Sequence, residues 1–222
     1  MSRFKGKGSQ TYDQRITKLI PGYELLYNLT AAKLKLLLPE EANILVIGAG
    51  TGNEILNLSK VNDQWAFTAL DPAKDMLDIA QSKFREEGIE QRVNFHHGTI
   101  SSFENGHKFD AALCFFVMHF ISNLSEKKEL LSSIRSHLVS NGDLFIADLM
   151  KPISENDRLA QAQASHLLGL PEEKNKKILN RLSNDFFPLD RGELDSLLQE
   201  AGYPIINAYF QAIRFSAFHI IF

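Results

Sequence analysis

The stretch Asn43-Ile-Leu-Val-Ile-Gly-Ala-Gly-Thr-Gly-Asn-Glu-Ile-Leu-Asn-Leu58 decides the fold. Asn43 to Ile47 is a short β-branched run ending at glycines, and a helical pattern starts between Gly52 and Leu58. Strand, tight turn and helix are therefore expected in that order. Glycines at such a turn let backbone approach a ligand where a side chain would clash, and the N–H groups of a starting helix are unpaired. Gly48, Ala49 and Gly50 thus suit a nucleotide or nucleoside-like cofactor, although a glycine cluster alone also fits a plain structural turn.

Outward from this segment the same cycle recurs. Strands are expected at residues 66–70, 93–96, 111–116 and 143–147, and helices at 73–87 and 126–138, with Asn141-Gly142 as a turn between the last helix and strand. Ahead of the cycle, Tyr23 to Leu38 has apolar residues at helical spacing, stopped by Pro39. Behind it, Lys151 to Pro188 is charged and helical, which reads as an inserted cap. Arg191 to Glu200 resumes the helical pattern, and residues 205–210 and 215–222 read as two strands close enough to pair antiparallel. The expected class is α/β: a doubly wound, mainly parallel seven-stranded sheet with a C-terminal antiparallel hairpin, in a single domain.

Composition bounds the function. The chain has 222 residues, 44% of them hydrophobic, enough for one enzyme-sized core. A formal charge of −3 argues against nucleic acid as a direct substrate. Cys114 is the single cysteine, so no internal disulfide forms, and a cytoplasmic location is expected. The basic arm at residues 1–11 lacks the apolar segment of a secretory signal, and no run is long enough to span a membrane. His96 and His97, adjacent on a strand, point to opposite faces, so no metal site is expected. Glu172-Glu-Lys-Asn-Lys-Lys177 reads as a solvated helix face before an anion contact. The aromatic C-terminal strands read as core first and as a homodimer surface second.

Asp71 ends the second strand about 20 residues after the glycine turn, where a carboxylate can accept hydrogen bonds from a ribose diol. It also reads as a helix cap for Pro72-Ala73-Lys74, with proline at the first helical position. A dinucleotide turn needs its third glycine where Asn53 stands, which disfavours an NAD-dependent oxidoreductase. No Gly-Lys-Ser/Thr follows, which disfavours ATP hydrolysis.

Four segments in this order, Val46-Ile-Gly-Ala-Gly-Thr-Gly-Asn-Glu54, Leu70-Asp-Pro-Ala-Lys-Asp-Met76, Phe109-Asp-Ala-Ala-Leu113 and Asn141-Gly-Asp-Leu-Phe145, resemble the successive motifs of class I S-adenosylmethionine-dependent methyltransferases. The resemblance implies that S-adenosyl-L-methionine is the cofactor and S-adenosyl-L-homocysteine the product. It places Gly48, Ala49 and Gly50 by the methionine part, Asp71 on the ribose, and Pro72, Met76, Thr99 and Ile100 around adenine. Phe115 and Phe116 would lie near the sulfonium as cation-attracting faces, or serve as core. His119, or a tyrosine such as Tyr12, is the candidate base for an oxygen nucleophile; His119 also reads as a structural histidine.

Tyr12-Asp-Gln-Arg15 and Pro21-Gly-Tyr23 are similar to a narrower group that includes the carboxy-S-adenosylmethionine synthases of tRNA wobble-uridine modification. That likeness implies a Tyr23 contact with the methionyl end and a carboxylate-holding role for Arg181 in the cap. Phe115 stands where the group has asparagine and Thr99 where it has aspartate. Methyl transfer to an O or N nucleophile of a small-molecule acceptor is the expected activity. The alternatives are carboxy-S-adenosylmethionine synthesis and a cofactor-binding partner protein without turnover.

Overall fold

The structure, a computed structural model, describes residues 11–104 and 106–221. The arm expected at 1–11 lies outside the described residues except for Thr11. Two helices, α1 (Tyr12–Leu19) and α2 (Tyr23–Leu37), lead into β1 (Asn43–Ile47), α3 (Asn53–Ser59), β2 (Ala66–Asp71), α4 (Lys74–Glu86), β3 (Val93–His97) and β4 (Phe109–Phe115). Next come α5 (Leu124–His137), β5 (Leu138–Leu149), the cap helices α6 (Glu155–Leu167) and α7 (Glu172–Asn184), then α8 (Arg191–Glu200), β6 (Ile205–Ala212) and β7 (Phe215–Ile221). The sheet order is β3-β2-β1-β4-β5-β7-β6. β1 to β5 pair in parallel, and β7 runs antiparallel to both β5 and β6.

Strands buried on both faces need apolar residues at successive positions, and β1 supplies them from Ile44 to Ile47. Ile44 and Val46 join one core with Leu26, Leu34 and Phe84, under α2 and α4. Leu45 and Ile47 face the other way, into a second core with Leu131, Ile134, Leu194 and Leu198 from α5 and α8. One strand thus anchors both layers, and its carboxyl end lies mid-sheet, where the order reverses from β1 toward β4. That reversal is where doubly wound folds open a crevice. Among the described residues, no helix is long and apolar enough to cross a membrane.

Three local expectations are corrected. Asn141-Gly142 is not a free turn: β5 begins at Leu138 opposite Phe109, and residues 139–142 bulge before Asp143 pairs with Ala111. β4 stops at Phe115 rather than Phe116, because Phe116 takes a left-handed φ of 58°. That conformation costs a bulky residue about 1–2 kcal/mol. Pro72 is not the first helical residue, since α4 starts at Lys74 with Ala73 as its N-cap and no side-chain cap bond.

Candidate functional site

Asp71 explains why the glycine turn faces the neighbouring strand. One carboxylate oxygen accepts from the Gly50 N–H at 2.8 Å, and the other accepts from the Ala73 N–H at 2.7 Å. The second bond closes a turn before α4, so Asp71 bridges the ends of β1 and β2 instead of capping the helix. Burial pushes its carboxyl above the usual carboxylate range, against the pull of these two bonds. Each oxygen retains a lone pair for a hydroxyl donor.

A cavity of about 1030 Å³ opens over these strand ends. It brings together Tyr12, Tyr23, Gly48, Ala49, Gly50, Asp71, Pro72, Met76, Thr99, Ile100, Phe115 and Phe116. Thr99 sits at its rim with its hydroxyl 2.8 Å from that of Ser101. Phe115 and Phe116 are buried and line the cavity, so they belong at once to core and site. Tyr23 stacks on Phe116 with ring centroids 6.3 Å apart.

Of two acids not singled out in the sequence, one lines this cavity and the other fastens its glycine turn. Glu54, in the first turn of α3, is only 8% exposed and lines the cavity. The Tyr27 hydroxyl, 2.8 Å from that of Tyr23, donates to Glu54 at 2.8 Å. Burial pushes the Glu54 carboxyl from 4.5 up to about 7. Asp13 fastens α1 to the glycine turn by accepting from Thr51 Oγ1 at 2.5 Å, Asn53 Nδ2 at 2.9 Å and Lys83 Nζ at 2.5 Å. Burial would raise the Asp13 carboxyl, but these bonds and the Lys83 charge hold it below its usual value. Burial beside Glu54 pushes the Tyr12 phenol far above its ordinary value, so at neutral pH it is a donor and not a base.

His119 and Arg181 do not line the large cavity. They line a smaller one of about 100 Å³ beside it, and Tyr12, Phe116 and Phe120 belong to both. The His119 ring is buried, with Nδ1 bonded to Asp148 Oδ1. Asp148 is fixed in turn by the backbone N–H groups of His119 at 3.1 Å and Leu149 at 2.7 Å. With the carboxylate on Nδ1–H, the free lone pair of a neutral imidazole lies on Nε2. Phe186 packs edge-on to this ring at 4.8 Å. The turn is held from behind by the fully buried Lys127, whose Nζ donates to Met118 O and, at 2.8 Å, to Phe187 O. Arg181 makes an exposed contact with Asp185 at 3.4 Å. Asp148 had a signal in the sequence, a lone acid in the apolar run Leu144-Phe-Ile-Ala-Asp-Leu-Met150, but not the pairing that puts it beside His119.

Residues 45–144 match the family described as a methyltransferase domain. The chain is 23% identical to a carboxy-S-adenosyl-L-methionine synthase of Desulfotalea psychrophila, over 98% of this chain and 91% of that protein. Among solved structures, the plantazolicin methyltransferase BpumL with S-adenosylhomocysteine bound superposes with a TM-score of 0.71 at 15% identity, covering 96% of this chain and 88% of that one. An O-methyltransferase family protein from Burkholderia thailandensis gives 0.66 at 13% identity, over 96% of this chain but 59% of that one. The chain thus spans little more than half the length of several such structures.

Proposed function

We propose that this chain is a class I S-adenosylmethionine-dependent methyltransferase, a reading supported by the match of residues 45–144 to a methyltransferase domain, and that it methylates an oxygen nucleophile of a small, largely apolar acceptor with His119 as general base. The observation that carries this reading is the His119–Asp148 pair at a cavity sharing Tyr12, Phe116 and Phe120 with the cofactor cavity. The bound cofactor supplies an activated methyl group, so the chain has mainly to align the acceptor, exclude water and accept a proton. Asp71 offers its lone pairs to the ribose, and Phe115 and Phe116 turn aromatic surface toward the site of positive charge. Asp148 keeps the His119 Nδ1 proton in place, so Nε2 takes the acceptor's hydroxyl proton as oxygen attacks. Ile16, Leu19, Leu149, Leu182 and Phe215 make the acceptor side apolar.

The test is a hydroxyl-acceptor screen that follows S-adenosylhomocysteine release. With a turned-over acceptor, His119→Ala is expected to lower kcat by about 10²–10⁴-fold with KM for the cofactor unchanged. Asp148→Asn is expected to lower it less, and to move the acidic limb of the pH–rate profile. Unchanged kcat in His119→Ala would sink the base assignment. A second reading, carboxy-S-adenosylmethionine synthesis, is favoured by the Desulfotalea relative and by Arg181 at the smaller cavity. It predicts that mass analysis of the cofactor pool after incubation with cell metabolites finds a carboxylated cofactor in place of S-adenosylhomocysteine.

A further inference from the structure

The sheet order puts the cavity lining in a row. Thr99 and Ile100 follow β3, Asp71 ends β2, the glycine turn follows β1, and Phe115 ends β4 with Phe116 just after it. A nucleoside lying over β3 and β2 extends its remaining arm toward β1 and β4. Glu54 stands at that end, just beyond the glycine turn and beneath Tyr23 and Tyr27. We propose that the Glu54 carboxylate, braced by the Tyr27 hydroxyl, is the receptor for the α-ammonium group of the cofactor's amino-acid arm. The proposal rests on the methyltransferase reading and assigns a residue to one end of the same cavity.

Glu54 lacks a counter-charge. A carboxylate at 8% exposure is costly unless it meets a cation or several donors. The surroundings of Glu54 supply one phenolic donor, and its own backbone N–H a second, but no cation in contact among the described residues. Of the groups facing it, Tyr12 on α1 and Tyr23 and Tyr27 on α2 are phenols whose burial keeps them protonated. Asp13 on α1 is an acid and adds repulsion. Among the described residues the cation acting on it is Lys83 on α4, and its Nζ is occupied by Asp13 at 2.5 Å, Asn53 Oδ1 at 3.0 Å and the Thr51 carbonyl at 3.2 Å. A ligand ammonium entering the cavity brings the charge and the donors that Glu54 lacks. Without that cation, the carboxyl holds its proton to about pH 7. An arriving ammonium favours the ionised form, so binding near neutral pH expels a proton.

Calorimetry at pH 6.5 with S-adenosylhomocysteine and with 5′-methylthioadenosine tests this. The second ligand keeps the nucleoside and thioether but lacks the ammonium. Repeating each titration in buffers of different ionisation enthalpy counts protons released. The expected result is release of a substantial fraction of a proton with S-adenosylhomocysteine and none with 5′-methylthioadenosine. Glu54→Gln should weaken the first ligand roughly 10–100-fold and leave the second unchanged. The proton count uses the unaltered protein, so the test survives even if the variant fails to fold. If both ligands bind, no proton is released and Glu54→Gln leaves both affinities within about twofold, the assignment falls while the methyltransferase reading stands. If Glu54→Gln weakens both ligands alike, Glu54 serves the nucleoside or the fold and not the ammonium, and the assignment is again wrong. If neither ligand binds the unaltered protein, the methyltransferase reading falls with it.

Discussion

At Glu54, folding itself binds a proton. The unfolded chain ionises this group above 4.5, and the folded chain does so only near 7. Between those values the folded state holds a proton the unfolded state has lost, so the group's contribution is intact below 4.5 and is lost as pH rises through 7. The full difference corresponds to about 3 kcal/mol. Ligand-free Glu54→Gln should therefore match the unaltered protein in unfolding free energy from denaturant titration near pH 4.5 and exceed it by an amount approaching about 3 kcal/mol near pH 8; a constant offset across that range would show that the carboxyl is not buried as described. The glycine turn makes a second residue-scale prediction. A Cβ on Gly48 would sit 2.3 Å from Val117 Cγ2 at a φ of 69°, whereas one on Gly50 meets nothing closer than Met76 Cε at 3.5 Å. Gly48→Ala should cost about 1–3 kcal/mol in thermal melts from overpacking. Gly50→Ala should cost only the left-handed strain of about 1 kcal/mol, with its main effect on ligand affinity.

At the scale of elements, α1 is the piece most dependent on a single side chain. Asp13 gathers Thr51, Asn53 and Lys83, and so ties α1 to the glycine turn and to α4. Asp13→Asn removes the charge that holds Lys83, and faster hydrogen exchange across residues 12–20 with weaker cofactor binding is expected. Because these partners hold the Asp13 carboxyl below 3.8, the latch is present above that value and fails as pH falls further. Exchange in α1 that is unaffected by the substitution would show that its apolar face alone docks it. The latch also shows where sequence reading reaches its limit. Strands and helices around Asn43–Leu58 were legible because each has its own periodicity and the glycines punctuate them. Of the residues lining the large cavity, Gly48, Ala49, Gly50, Asp71, Thr99, Ile100 and Phe115 were legible because each sits at or just past the carboxyl end of a strand in the repeated strand-turn-helix pattern. Asp13, Glu54, Lys127 and Asp148 were not, because each acquires its role from a partner 9 to 70 residues away. The bulge at residues 139–142 was hidden for a related reason: Asn141-Gly142 has the chemistry of a turn, and only pairing with β4 pulls it into the sheet.

Across the whole molecule, the added segments are joined to the sheet by bonds that converge on the site. The α6 side chains Gln161 and Ser165 donate to the last carbonyl of α1, Leu19 O, at 2.7 and 3.4 Å. The Phe187 N–H after α7 donates to His119 O at 2.8 Å, and Met150 bridges to Leu189 beside β5. With α1 also pinned to the glycine turn, neither the N-terminal helices nor the cap can leave without breaking hydrogen bonds at a cavity wall. The chain should consequently melt as one unit, and a ligand in the large cavity should stabilise all of it. S-adenosylhomocysteine at 100 times its Kd contributes about 2.7 kcal/mol. For a domain of this size that is a rise in Tm of roughly 5–10 °C. Scanning calorimetry should show a single transition displaced by that amount. A melt in two steps, with the ligand moving only the later one, would mean that the cap and α1 dock on the sheet without sharing its cooperativity, and acceptor selection by the smaller cavity would then depend on a separately unfolding lid.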